Sequence, residues 1–99
     1  MIPESDESVF VPDWPAPSGV RSLVTTRRGG FSTGPWHSFN LALHVQDDPA
    51  AVHANRAKLS RISGVVPDAC HWLEQVHGNR VVRVPAMEQT PVADAAWTD

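Results

Sequence analysis

The apolar positions of this chain change period three times, and each change predicts an element. In "VFVPDWPAPSGV" the apolar residues are broken by Pro12, Pro15 and Pro17. Proline fixes its own φ and has no N–H to give to a ladder, so an extended, edge-like segment is predicted rather than a helix. The apolar and β-branched run Val20 to Thr26, "VRSLVTT", predicts a strand. All periodicity is then lost in "RRGGFSTGPWHSFN", a long loop with three glycines. Long ordered loops tend to bind something, although many are plain surface connections.

A helical period begins at Asp48-Pro49. Asp48 can cap the free N–H groups, Pro49 suits the first helical position, and Gly64 can end the helix in the left-handed region, which predicts a helix over 49–63. Val52, Leu59 and Ile62 share one face. Asn55 and Arg56 fall on or beside that face, where an unbonded polar group is costly. Asn55 is therefore expected to pin a neighbouring loop, and Arg56 to lay its stem along the core with its head in water. "CHWLEQVHGNRVVRV" then reads as a hairpin: Cys70 to His77, a Gly78-Asn79 turn, and a return over Arg80 to Val84. The tail holds two prolines and a short Val92 to Ala96 stretch fit to begin another strand. The first eight residues are polar and expected to fray.

Length and composition narrow the classes. Ninety-nine residues make one small domain or part of a larger one, and 41% hydrophobic content allows a core. Eight basic against eleven acidic residues give a net charge of −3, which does not favour nucleic acid or an anionic membrane as partner. No apolar run approaches the ~20 residues of a membrane span. The acidic "MIPESDESVF" lacks the pattern of a secretory signal. A single cysteine, Cys70, excludes an internal disulfide, and a reducing cytoplasm is the default location. Cys70 reads as an inert, interior strand residue.

Strand alternation would place His71, Leu73, Gln75 and His77 on one side and Trp72, Glu74 and Val76 on the other. His71 and His77 would then lie about 20 Å apart and could not share a metal ion. His37, His44 and His53 form no ligand pair of zinc-site spacing, so a metal site complete within the chain is not expected. In "TTRRGG", glycines can let backbone N–H groups approach an anion and a guanidinium can grip it by two bonds. An ordinary strand exit with solvated arginines is the competing reading.

Taken in order, "TTRRGGFS", "SFNL", "DDPAAVHANR", "WLEQVHG" and "ADA" resemble the laccase-domain family, whose members are also called YfiH-like proteins, polyphenol oxidases or peptidoglycan-editing factors. The resemblance spans roughly Val11 to Ala95. It implies an α/β (α+β) fold, an αββα sandwich related in outline to cysteine hydrolases, of which residues 1–99 would be an N-terminal fragment. It also implies a zinc site, earlier described as copper, built from the QVHG histidine, a cysteine in a later ADC motif and a histidine in a later HAGWRG motif. Only the first carries over, onto His77. Gln46 stands where the family commonly has Gly before Asp.

The implied chemistry is that of purine nucleosides: phosphorolysis, adenosine deamination, and in other accounts phenol oxidation or removal of miscoupled peptidoglycan precursors. Arg27 and Asn40 are the expected substrate contacts; Gln75, on the face of His77, is expected to line the pocket or equally to pack beneath it, and purine nucleoside and phosphate are the expected ligands. With one zinc ligand of three, the chain alone is expected to bind zinc weakly and to be catalytically silent. The alternative is a non-enzymatic module that uses the Arg27 to Gly30 loop to hold an anion or a protein. Self-association through an exposed sheet edge is also expected.

Overall fold

The computed structural model describes residues 6–99, a mixed α/β arrangement with one α-helix. It divides into two compact units, one ending at Val65 and the other spanning Val66–Asp99. No helix among the described residues is long and apolar enough to cross a membrane.

In the first unit, β1 (Val9–Phe10) pairs antiparallel with β2 (Val24–Thr25), Val9 opposite Thr25 and Phe10 opposite Val24. The strand expected over Val20 to Thr26 is thus confined to Val24–Thr25. The proline-rich stretch before it stays out of the ladder, as a chain with fixed φ and missing donors should. Of the eight residues expected to fray, the first five lie outside the described residues. Ser8 is fully buried, and its hydroxyl and N–H donate to Asp6 Oδ1 at 2.5 and 3.0 Å.

The helix α1 (Pro49–Ser63) has the predicted bounds. Asp48 accepts from the Ala50 N–H at 3.1 Å, Pro49 opens the first turn, and Gly64 ends the helix at φ 75°. Val52 is fully buried and forms the apolar core with Val9 and Phe39. This core is small, and buried Ser8, Ser32, Ser38, Asp47 and Asn55 fill as much of the interior. The unit is therefore held by hydrogen bonds between helix and loop as well as by apolar burial.

Asn55 is the centre of that arrangement. Its Oδ1 accepts from the Phe31 N–H at 2.7 Å, and its Nδ2 donates to Ser32 Oγ, Asn40 O and Ser38 O at 2.9, 2.8 and 3.3 Å. Arg56 departs from expectation. Its Nε donates to the Leu41 carbonyl at 2.8 Å, because the loop brings that carbonyl within reach of the helix. Lys58 donates to the Gly29 carbonyl at 2.5 Å and lies 5.7 Å from the centre of the Phe39 ring.

The second unit corrects the hairpin. Residues 71–80 do not form a strand; Glu74 alone makes a bridge, parallel, to Val92. Further on, β3 (Val81–Arg83) pairs parallel with β4 (Ala95–Trp97). The chain therefore keeps its direction through Gly78-Asn79 rather than reversing, and the tail supplies the partner. Between the two pairings lie residues 75–80 on the upstream segment and only Ala93 and Asp94 on the tail, so four extra residues are looped out. Cys70 is half-buried at the end of the short 3-10 turn Pro67–Ala69, its thiol donating to the Val66 carbonyl at 3.7 Å, and is not an interior strand residue. Val82 and Ala93 form the buried core of this unit.

Candidate functional site

Each unit holds some of the residues predicted for function. In the first, the loop after β2 folds onto itself because the Arg27 carbonyl accepts from the N–H groups of both Ser38 and Phe39, at 2.7 and 3.0 Å. The Arg27 side chain closes the same ring: Nε and Nη2 donate to the His37 carbonyl at 3.1 and 3.0 Å. A guanidinium has five N–H donors. Two are spent, and the other three have no partner among the described residues.

The folded loop borders an open cavity of about 350 Å³ lined by Arg27, Pro35, Trp36, His37, Phe39 and Asn40. The short 3-10 turn Gly34–Trp36 presents Trp36, whose indole N–H donates to the Val45 carbonyl at 2.9 Å and so fixes the ring. Phe39 is buried and supplies a second aromatic wall. The cavity thus combines planar apolar surfaces with one cation.

Arg27 and Asn40, predicted from the sequence, come together here, but in different ways. The Asn40 side chain is engaged within the chain: Nδ2 donates to Ala42 O and Asp47 Oδ2, both at 3.1 Å, and Oδ1 accepts from the Ala42 N–H at 3.1 Å. It lines the cavity as a fixed wall. The N–H groups of Arg28 and Gly30 donate to Thr26 Oγ1 and Ser38 Oγ at 3.2 and 3.1 Å, so neither is turned outward to an anion. Sequence reasoning did not single out Trp36, His37 and Phe39; the aromatic residues from the end of "TTRRGG" through "SFNL" were the available signal.

Asp47 ties this loop to the helix start. The Ser32 hydroxyl, donating to Oδ2 at 2.5 Å, holds the Asp47 carboxyl below its ordinary value of 3.8 against the opposing effect of burial, and Asn40 and the Asp48 N–H add to it. Because the folded value is the lower one, the stabilisation is present above the unfolded value and disappears as pH falls through the folded one. Denaturant midpoints of the first unit should therefore drop below about pH 4, and Asp47→Asn should flatten part of that fall. An Asp47→Asn chain with an unchanged pH curve would contradict this account. Just before it, Gln46 has φ 68°, the left-handed region where glycine is at ease, which explains why a glycine suits this position.

In the second unit, His77 occupies the looped-out segment, at φ 59°, with its side chain exposed. That left-handed residue breaks the strand alternation expected for His71, Leu73, Gln75 and His77. Gln75 is exposed as well. The residue missed from the sequence is Asp94. Its Oδ1 accepts from the N–H groups of Val76 and His77 at 3.0 and 2.8 Å, and its Oδ2 from that of Gly78 at 2.7 Å. Burial raises the Asp94 pKa, but these three bonds and the nearby His77 outweigh it and hold the carboxyl low. The "ADA" triplet was visible as part of a motif; that its carboxylate would reach back to the QVHG turn was not.

Zinc is a different matter. No three His, Cys, Asp or Glu side chains among the described residues stand close enough to hold a metal ion. His77 is one donor without companions there, and the residues present do not fit a zinc centre by themselves.

Comparison with known proteins agrees with the motifs. Residues 21–99 match the family described as multi-copper polyphenol oxidoreductase laccase. The chain is similar to a Pseudomonas aeruginosa protein named purine nucleoside phosphorylase, 48% identical over 90% of this chain and 35% of that one. A Haemophilus influenzae protein of the same name is 40% identical over 89% of this chain and 36% of its own length. Among solved structures, Neisseria meningitidis protein NMB0706 superposes with a TM-score of 0.78 and 41% identity, covering 93% of this chain and 37% of that one. YlmD from Geobacillus stearothermophilus gives 0.71 and 32%, covering 83% and 34%. The chain thus spans about a third of the length of these relatives. On residues 21–99 and the motifs within them, it belongs to the multi-copper polyphenol oxidoreductase laccase family.

Proposed function

We propose that this chain provides the nucleoside-binding portion of a purine nucleoside phosphorylase, the activity named for its relatives. One observation carries the reading: three N–H groups of a fixed arginine fork border a cavity with aromatic walls. A purine is planar and stacks on such walls, and the arginine fork matches phosphate by two parallel bonds. A volume of about 350 Å³ lies within the range of small-molecule sites. In phosphorolysis a phosphate oxygen bonds to the ribose C1′ as the C1′–N bond to the purine breaks, and the purine nitrogen takes up a proton. Arg27 would hold the phosphate charge, Trp36 and Phe39 the ring, and Asn40 the shape of the wall. Gln75, two residues before His77, is exposed, and substrate contact there is part of the same proposal.

His77 is assigned as one zinc ligand by the same resemblance, with copper the earlier assignment. Since the described residues supply no companion ligands, no step is assigned to a metal here. It follows that the isolated chain binds nucleoside and phosphate weakly and turns neither over, by phosphorolysis or by deamination.

The test has two arms. In a titration with inosine and phosphate followed by NMR, the Trp36 indole resonance should shift, and Arg27→Ala should weaken the response at least about tenfold, the worth of one charge-assisted bond. In an assay of adenosine and inosine with zinc added, no product should form. Absence of any Trp36 response, or turnover abolished by His77→Ala, would overturn the respective half of the reading.

A further inference from the structure

We propose that Asp94 is a positioning residue for His77: by collecting three consecutive N–H groups it fixes the backbone from which the imidazole projects. The proposal rests on the reading of His77 as the acting imidazole. The argument starts from the two parallel pairings. Glu74 opposite Val92 and Val81 opposite Ala95 leave four residues too many on the upstream side. Those residues must leave the sheet, and a loop of exposed residues has no packing to hold it in one conformation. Val76, His77, Gly78 and Asn79 are all exposed.

The carboxylate replaces that packing. Asp94 sits between the pairings, and its own N–H donates to the Arg80 carbonyl at 3.0 Å, so its backbone is tied at the far end of the loop. Its oxygens take the N–H groups of Val76, His77 and Gly78 at 3.0, 2.8 and 2.7 Å. Three successive amides face one side only if the chain turns left-handed among them, as it does at His77, φ 59°. For a residue with a Cβ this conformation is strained, and the charge-assisted bonds offset the strain. Gly78 gives the carboxylate room, since a Cβ there would lie 3.2 Å from Asp94 Oδ2. The direction of the His77 Cα–Cβ bond is thereby set by Asp94, because its exposed imidazole has no burial to set it.

Backbone relaxation and amide exchange in the intact chain distinguish this role from a general contribution to stability. Asp94→Asn keeps the shape but turns an NH₂ group toward the Gly78 N–H. Order parameters at residues 76–78 should fall from about 0.85 to below about 0.6. Exchange of the Gly78 amide should quicken at least tenfold, while the buried Val82 and Ala93 amides keep their rates. Unchanged order at residues 76–78 would overturn the proposal. Should the variant lose the signals of β3 and β4 altogether, the unaltered chain decides. Scalar couplings from the amides of 76–78 to the Asp94 carboxyl carbon, with high order at His77, uphold the role, and a mobile His77 backbone sinks it. None of these readouts involves substrate or metal, so a failed assignment of His77 would leave them as they are.

Discussion

Asn55→Ala is expected to lower the stability of the first unit by about 3 kcal/mol, and the urea midpoint with it. The residue is fully buried, and its amide bonds to four partners on the loop between β2 and α1. Truncation strands the Phe31 N–H and the Asn40 carbonyl, while the Ser38 carbonyl keeps the Ser32 N–H at 2.8 Å. Each unsatisfied buried group costs about 1–3 kcal/mol, and only part of that is recovered by entering water. Loss of the side chain's own contacts adds a cavity term. Asn55→Asp separates the bonds from the packing. It preserves volume and the acceptor for Phe31, yet sets an oxygen where Nδ2 now donates to three oxygens. It should be at least as damaging at neutral pH and partly relieved in acid. Tryptophan fluorescence during urea unfolding, with exchange of the Phe31 amide, measures both variants. A loss below about 1 kcal/mol for Asn55→Ala would mean that water replaces the amide without penalty.

The second large effect is steric. Gly30→Ala should cost about 3 kcal/mol and disturb the Arg27 cavity as well. A Cβ at Gly30 would overlap the Ser38 carbonyl oxygen, and lie 2.5 Å from the Phe39 Cα and 2.7 Å from Asn55 Oδ1. Two of these atoms belong to backbone, so no rotamer change makes room. The loop would have to leave the helix, breaking the Asn55 bonds and shifting Phe39 in the cavity wall. Gly34→Ala is the control: nothing lies within 4 Å of its added Cβ, and only its φ of 61° opposes the change, at about 1 kcal/mol. Equal losses at the two positions would show that backbone freedom, and not close approach, keeps Gly30. Because Gly30 and Asn55 touch the same junction, the double variant should lose less than the two single losses together.

Both effects bear on how legible the molecule was. The helix could be bounded from the sequence because its ends are local: Asp48, Pro49 and Gly64 act within one turn of themselves. Asn55 as a pin was legible too, since a polar residue on an apolar face must find partners nearby. Arg56 was not, because which carbonyl lies within its reach depends on the path of the loop. The hairpin failed for the same reason. Gly78-Asn79 between apolar runs carries a turn signal, but the turn became a loop in a chain that continues forward, and the partner strand lies in the tail. Arg27 and His77, singled out from motifs, both lie exposed. Asp94, which holds the His77 loop, became visible only once the tail ran beside it.

Alone, then, the sequence determined the helix and its caps, the presence of a long glycine-rich loop, and the family. These follow from preferences acting over a few residues or from motifs read in order. Tertiary structure decided which strands pair and in which direction, where Arg27 spends two of its donors, and which carboxylate fixes the His77 backbone. Those outcomes join segments distant along the chain, and pairing between distant segments is settled by the hydrogen bonds and burial available after folding, which no local pattern records.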